Sequence, residues 1–167
     1  MKRAKKVRAL KSRKSKLLKH KAVVPVNAIR RFVAREHLTA ANIGSAGPNF
    51  QRLFLDKVEE NVPAGRIAIR ALVKGSLDPE IMVELGRARR VTYLAHFFQI
   101  LKKQAKGQAG PLSISMANVA YCFGGDGNVW AVRASWDSVD HSWHVGAHSV
   151  GSPYEWLAGR QVLSQAV

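Results

Sequence analysis

The chain has 167 residues, of which 47% are hydrophobic, and this is sufficient for one folded domain with a buried core. Its formal net charge is +16, and its single cysteine, Cys122, excludes an intramolecular disulfide. No apolar run approaches the roughly 18 residues that a membrane-spanning helix needs, and the basic start lacks the apolar core of a secretory signal. We therefore expect an intracellular protein with a polyanionic partner and no membrane partner.

The positive charge is concentrated at the amino end. Residues 1–21 contain eleven basic side chains and no acidic ones, residues 22–106 contain fourteen against seven, and residues 107–167 contain two against four. Because like charges at this density repel one another, we interpret residues 1–24 as a basic arm that is ordered only by a polyanion, most commonly a nucleic-acid backbone. The predicted phosphate-binding residues of the arm are Lys2, Arg3, Lys5, Lys6, Arg8, Lys11, Arg13, Lys14, Lys16, Lys19 and Lys21.

The segment after the arm has a mainly helical pattern. Apolar residues at helical spacing predict a helix that starts near Pro25. A second helix is predicted from Pro48 to Pro63, because proline suits a first helical turn and also stops a helix. Residues 66–73 alternate between apolar and other side chains and predict a short strand. The basic residues on the polar side of the first helix, which are predicted to assist phosphate binding, are Arg30, Arg31 and Arg35.

Two further helices are predicted before residue 107. Asp78 and Pro79 indicate a helix start, with Asp78 as the N-cap, and Gly86 indicates its end. Residues 91–106 are apolar on nearly all sides of a helix and therefore predict a buried central helix. The compact basic cluster between these two helices is also predicted to bind phosphates, and it consists of Arg87, Arg89 and Arg90.

The last third of the chain has a period of two. Alternating apolar residues between positions 112 and 147 predict a three-stranded antiparallel meander. Ser152 and Glu155 have the spacing of a capping box and predict a final helix. The predicted fold class is therefore α+β, with helices packed on a small antiparallel three-stranded meander. We expect a single domain over residues 25–167, mainly helical up to residue 106, with the meander and the final helix after it.

The predicted order of the last elements is helix, strand, strand, strand and helix. This order resembles that of the double-stranded-RNA-binding domain. Members of that family open their last helix with paired lysines, whereas Ser152, Pro153, Tyr154 and Glu155 stand at that place here. The likeness is one of element order alone, so we assign no family.

Neither a metal site nor a catalytic site is predicted from the polar residues. His141, His144 and His148 fall within eight residues, but an extended strand separates the last two by about 13 Å, which is too far for one ion. We interpret them as surface imidazoles. Cys122 is interpreted as a small half-buried apolar residue. The four tryptophans are expected in the core, because only Arg133 lies among them and base-stacking sites are normally basic.

The predicted function is non-enzymatic binding of DNA or RNA through backbone phosphates, without a cofactor. The alternative is a structural or interaction subunit of a nucleic-acid-containing assembly, such as a ribonucleoprotein or a virion-like particle, whose C-terminal sheet binds protein. A small enzyme that uses the histidine cluster and Cys122 ranks third. The first two hypotheses share the arm and differ in the role of the aromatic sheet.

Overall fold

The computed structural model describes residues 16–166, so the arm residues from Lys2 to Lys14 lie outside the described part of the chain. The described residues form three α-helices, namely α1 (Pro48–Phe54), α2 (Asp78–Leu85) and α3 (Leu94–Lys103), and a 3₁₀ turn over Ala34–His37. They also form eleven strands: β1 (Leu18–Val26), β2 (Ile29–Val33), β3 (Ile43–Ala46), β4 (Val58–Val62), β5 (Gly65–Leu72), β6 (Ser76–Leu77), β7 (Asn118–Phe123), β8 (Val129–Asp137), β9 (Ser142–Ser149), β10 (Glu155–Trp156) and β11 (Gln161–Gln165).

Seven of these strands form one mixed sheet. Their order is β1, β5, β11, β7, β8, β9 and β3, and two small sheets pair β2 with β4 and β6 with β10. β11 is antiparallel to β5 and parallel to β7, so it joins the amino-terminal and carboxy-terminal halves of the chain within one sheet. β3 closes the opposite edge by pairing in parallel with β9.

Each face of the large sheet carries a hydrophobic core. Along β7, Ala120 and Cys122 contribute to one core, and Val119 and Tyr121 contribute to the other, because successive side chains of a strand point to opposite faces. We call the first the α3 core, which contains Phe32, Phe50, Phe97, Phe98 and Trp143. We call the second the α2 core, which contains Leu18, Ile81, Leu85, Tyr121 and Trp156.

The edge strand β1 contributes to both cores because its register shifts. Leu18 packs in the α2 core, whereas Ala22 and Val24 pack against the α3 core. The pairing with β5 shifts between His20 and Ala22, and one extra residue exchanges the two faces of a strand. The bulged residue is Lys21, which is exposed.

A buried carboxylate fixes the start of the central helix. Glu59 on β4 is 8% exposed and accepts hydrogen bonds from the backbone N–H groups of Leu94 (3.1 Å) and Ala95 (2.8 Å). These N–H groups have no partner within α3, and the positive end of the helix dipole favours a negative charge there. Glu59 therefore ties α3 to the small sheet formed by β2 and β4.

The predicted fold class is wrong. The structure is mostly sheet, and the three strands expected as a separate meander, β7, β8 and β9, are inner strands of a seven-stranded sheet that β1, β3, β5 and β11 complete. The predicted strand over residues 66–73 forms as β5, between β1 and β11 in that sheet. Among the described residues, no helix is long and apolar enough to cross a membrane.

Two predicted helices of the first half are replaced wholly or partly by strands. The segment from Pro25 onward forms the end of β1 and then β2, and Pro25 is exposed on an edge strand, where a missing N–H costs no ladder hydrogen bond. The predicted helix from Pro48 to Pro63 ends as α1 at Phe54 and continues as β4. In contrast, α2 and α3 lie within the helical segments predicted from the sequence.

The predicted final helix is also wrong. Strands β10 and β11 lie where that helix was expected, so the order of helix, three strands and helix does not occur. The resemblance in element order to the double-stranded-RNA-binding domain is therefore wrong as well. Val162 is buried in the α2 core and Leu163 in the α3 core. A short strand that is buried on both faces has consecutive apolar residues, and these do not distinguish it from a helix.

Gly107, in the segment after α3, lies against the side chain of Trp136. Its φ is +63°, and a Cβ added there would lie 2.2 Å from the indole ring of Trp136, whereas Gly127 has φ +79° with no atom within 4 Å of such a Cβ. We expect Gly127→Ala to lose about 1–2 kcal/mol of unfolding free energy through backbone strain. Gly107→Ala should lose about 1–3 kcal/mol more, because it also displaces the indole. Urea denaturation measures both, and equal losses would contradict the packing described here.

Candidate functional site

The first described residues, Lys16 to Leu18, lie inside the segment that the sequence assigns to the arm. Leu17 and Leu18 are 9% and 7% exposed and belong to the α2 core. The N–H of Leu17 donates to Oε1 of Glu84 on α2 (2.7 Å), and its carbonyl accepts from the N–H of Val73 (2.9 Å). Part of the predicted arm is therefore packed on the folded domain, and Lys16 beside it is exposed.

A groove of about 190 Å³ lies beside Lys16, the first described residue. Arg70 on β5 reaches it while its Nη1 donates to Oγ of Ser164 (2.8 Å). Arg89 reaches it because Gly86, with φ +81°, ends α2 and begins a turn, and the Arg89 carbonyl then accepts from the N–H of Gln165 (2.9 Å). We call this the root groove, and its lining is Lys16, Leu18, Arg70, Glu84, Leu85 and Arg89.

The root groove carries three cations and one carboxylate, that of Glu84. Lys16 and Arg89 are exposed, and neither side chain forms a hydrogen bond or an ion pair with other described residues. Unpaired cations on a surface attract phosphates at little desolvation cost. The structure thus brings one residue of the predicted arm and one of the predicted arginine cluster to the same groove. Sequence reasoning missed Arg70, because its position in a predicted strand gave no signal of binding.

The other described residues that were predicted to bind phosphates lie outside this groove. Arg31 pairs with Glu36 (Nη1 to Oε1, 3.0 Å). Arg35 pairs with Asp56 through Nε (2.6 Å to Oδ1) and Nη2 (2.9 Å to Oδ2), and this contact lowers the pKa of Asp56. The remaining ones form no hydrogen bond or ion pair with described side chains: Lys19, Lys21, Arg30, Arg87 and Arg90.

The three histidines do not converge on one point. Nε2 of His144 lies 3.1 Å from Oδ2 of Asp140, and its Nδ1 lies 3.7 Å from Oδ2 of Asp137. Asp137 also accepts the N–H groups of Val139 (2.8 Å) and Asp140 (2.9 Å), and these hydrogen bonds lower its pKa. Ligand atoms of Asp137, Asp140 and His144 lie within 4.8 Å of one another. The hydrogen bonds of the turn and the contacts of His144 with the two carboxylates account for this proximity.

His148 belongs to a different arrangement, which sequence reasoning missed. Its Nε2 lies 3.0 Å from Oδ2 of Asp78, which is completely buried. Oδ1 of Asp78 accepts hydrogen bonds from the Tyr121 hydroxyl (2.7 Å) and from Nε1 of Trp156 (2.7 Å). Asp78 is therefore not the N-cap of α2: the cap is Leu77, and the Asp78 side chain points away into the α2 core.

Two of the four tryptophans and the thiol are deeply buried, whereas Trp130 and Trp136 are only partly buried. Trp143 and Trp156 are 0% and 1% exposed, and Nε1 of Trp143 donates to the carbonyl of Gln104 (3.0 Å). Trp136 packs edge-to-face on Trp143 with ring centroids 5.4 Å apart. Cys122 is fully rather than half buried, and burial raises the pKa of its thiol, which keeps it protonated.

Comparison with known proteins adds no assignment. No protein-family model matches the chain, and searches of curated proteins and of solved structures found no match.

Arg89 and Arg35 form a matched pair for testing the root groove. Both were predicted to bind phosphates, but Arg35 is paired with Asp56 and Arg89 is not. We expect Arg89→Gln to weaken nucleic-acid binding and to reduce the steepness of log affinity against log salt by about 1. Arg35→Gln should leave both unchanged. Fluorescence anisotropy at several salt concentrations measures both variants, and equal effects would remove the root groove from the interface.

The Asp78 arrangement also predicts a stability difference between two tyrosines. Tyr121 is fully buried and donates to a charged group, whereas Tyr93 is 40% exposed and its hydroxyl has no partner among the described residues. Tyr121→Phe should lose about 1.5–3 kcal/mol of unfolding free energy, because it removes one donor from a buried carboxylate. Tyr93→Phe is the control and should change little. Similar losses in chemical denaturation would show that the hydrogen bond to Asp78 contributes nothing.

Proposed function

We propose that the protein binds nucleic acid through backbone phosphates, using its basic arm together with the root groove, and that it catalyses no reaction. The observation that carries this proposal is the position of Lys16. It connects residues 1–15, which contain eight basic residues and no acidic ones, to a groove that already holds Arg70 and Arg89. The binding surface would thus continue from the arm onto the folded domain.

The anchored start of the fold supports joint action of the arm and the groove. Leu17 and Leu18 are held in the α2 core, and Lys16 lines the same groove as Arg89, so the arm would begin beside this arginine. A phosphate backbone bound by the groove would raise the effective concentration of neighbouring phosphates around the arm. Linked weak contacts of this kind give high total affinity without any single strong site.

The chemistry of the surface supports contacts to phosphates more than contacts to bases. No aromatic side chain lines the root groove, and Trp143 and Trp156 are buried in the two cores. Stacking platforms for single-stranded bases need exposed aromatic rings beside basic residues. Phosphate contacts carry no sequence information, so we expect little preference between unrelated sequences.

The alternative hypothesis, a subunit of a nucleic-acid-containing assembly, shares the arm. It would need a protein-binding surface, and the C-terminal strands β7 and β8 lie inside the large sheet with buried residues on both faces. A protein partner would then contact other parts of the domain. Sedimentation of the full chain and of a variant that lacks residues 1–15 would reveal self-association that is independent of the arm.

The proposal predicts a steep dependence of affinity on salt. An arm that engages roughly 6–8 phosphates gives a slope of log affinity on log salt near −5 to −7 on duplex DNA, because each contact releases counterions. Replacing both Lys5 and Lys6 by Gln should reduce the steepness by about 1–2 and weaken random and natural sequences alike. Titrations against two unrelated sequences at several salt concentrations measure the slope.

Removal of residues 1–15 is the control for the fold in that experiment. This truncation keeps Leu17 and all of β1, so its circular dichroism should match that of the full chain. Its affinity for nucleic acid should fall sharply. A slope near −1 for the full chain would mean that about one phosphate is engaged, and it would overturn the proposal.

A further inference from the structure

A second concave site lies away from the root groove, beside His148. The cavity has a volume of about 330 Å³ and is bordered by the loop before α1, by strands β8 and β9, and by the segment around β10. We call it the His148 cavity. Its chemically active lining residues are Arg133, His148, Tyr154 and Trp156. None of these residues belongs to the proposed phosphate-binding surface of the arm.

Asp78 holds the imidazole of His148 in one orientation. Its carboxylate is completely buried, and Nε2 of His148 lies 3.0 Å from its Oδ2, so Nε2 is the nitrogen that donates. Burying a carboxylate is costly, and three donors compensate the cost here, those of Tyr121, Trp156 and His148. The tautomer of a histidine is set by the hydrogen bond that one ring nitrogen makes. Nδ1 of His148 therefore remains as the nitrogen available to a ligand.

Nδ1 is also accessible. It has no hydrogen-bond partner among the described residues, and the buried side-chain atoms that lack a partner belong only to Thr92, His96 and Ser142. The His148 side chain is 26% exposed and borders the cavity. An imidazole with one nitrogen on a buried carboxylate and the other open to a cavity is positioned to exchange hydrogen bonds with a bound molecule.

Arg133 supplies a cation on the same side of the sheet. Arg133 on β8 stands opposite Gly146 on β9, and a Cβ added at Gly146 would lie 3.8 Å from its Nη2. The guanidinium group therefore extends over the place where Gly146 has no side chain. His148 lies two residues further along β9, so it is the diagonal neighbour of Arg133, within reach of a long side chain. The side chain of Arg133 forms no hydrogen bond or ion pair with any described residue.

Aromatic rings form the adjoining wall of the cavity. The ring centroid of Tyr154 lies 5.4 Å from that of His148 and 5.0 Å from that of Trp156. Trp156 is buried and fixed by its bond to Asp78, whereas Tyr154 is 46% exposed and can contact a ligand. A planar molecule can stack on such an exposed ring.

We propose that the His148 cavity binds an oxyanion attached to a planar ring, the chemistry of a nucleoside monophosphate. The guanidinium of Arg133 binds the phosphate, since its planar array of donors matches the geometry of phosphate oxygens. Nδ1 of His148 accepts a hydrogen bond from a hydroxyl group of the sugar, and Tyr154 stacks on the base. The volume of about 330 Å³ is at the lower end of the range of ligand pockets, roughly 300–1,000 Å³, and fits one nucleotide.

The test uses the full chain and a readout that is specific to this cavity. The imidazole signals of His148 are identified by comparing nuclear magnetic resonance spectra of the wild type and of His148→Gln. Adenosine 5′-monophosphate should shift these signals saturably, and calorimetry should show one such site. Inorganic phosphate and adenosine, each lacking one half of the ligand, should bind more weakly. His148 signals that do not move at millimolar adenosine 5′-monophosphate overturn the proposal.

Variants separate the contributions of the cation and of the ring. Arg133→Gln should weaken the binding of adenosine 5′-monophosphate about tenfold or more, because it removes charged hydrogen bonds. Arg66→Gln is the matched control: Arg66 is exposed on β5, which β11 and β7 separate from β8, and this variant should not affect the shifts of His148. Tyr154→Ala should weaken the binding of adenosine 5′-monophosphate but not that of inorganic phosphate. Unchanged affinity in Arg133→Gln, with the fold verified by circular dichroism, contradicts the proposal.

Two sources of the same chemistry remain to be distinguished, a free nucleotide and the end of a nucleic-acid strand. A dinucleotide with a 5′-phosphate and the same dinucleotide with a 5′-hydroxyl serve as probes. Shifts of His148 with adenosine 5′-monophosphate and with the phosphorylated dinucleotide, but not with the hydroxyl form, identify the strand end as a ligand, and shifts with adenosine 5′-monophosphate alone identify the free nucleotide. The salt dependence of binding to long nucleic acid should be the same in Arg133→Gln and in the wild type, so failure of this site is distinguishable from failure of the arm.

Discussion

The buried carboxylate of Asp78 is the interaction on which much of the fold depends. It joins α2 to β7 through Tyr121, to β9 through His148 and to β10 through Trp156. These elements come from distant parts of the chain and enclose the α2 core. Each hydrogen bond to a buried charged group is worth roughly 1.5–3 kcal/mol, so the donors and the carboxylate must be kept together. The same requirement fixes the orientation of His148.

The α2 core also connects the two surfaces that we consider functional. Leu17 and Leu18 pack in this core and thereby place Lys16 in the same groove as Arg89. Trp156 packs in it and forms one wall of the His148 cavity. One hydrophobic cluster thus positions a basic groove at one place and a polar cavity at another. The proposed roles differ accordingly: the groove and the arm would bind a phosphate backbone, and the cavity would bind a single nucleotide.

Local signals in the sequence predicted some elements and missed long-range ones. The proline after Asp78 predicted α2 and an apolar run predicted α3, because each signal lies within the helix that it predicts. β11 could not be recognised, since its consecutive buried residues face two different cores, and the bulge at Lys21 hid the strand pattern of β1. The pair of Asp78 and His148 spans 70 residues, and the position of Asp78 before Pro79 is equally typical of a helix cap. The charge gradient identified the arm, but only the fold places Lys16 beside Arg89.

The most direct test of the proposed binding surface is arginine footprinting of the complex with nucleic acid. The full chain is treated with an arginine-specific dicarbonyl reagent, with and without bound nucleic acid at low salt, and modified positions are identified by mass spectrometry. The account predicts strong protection of Arg70 and Arg89 in the root groove, together with the arginines of the arm, and no change at Arg160 or at Arg35, which stays paired with Asp56. Protection of Arg160 with full reactivity of Arg70 and Arg89 would contradict it.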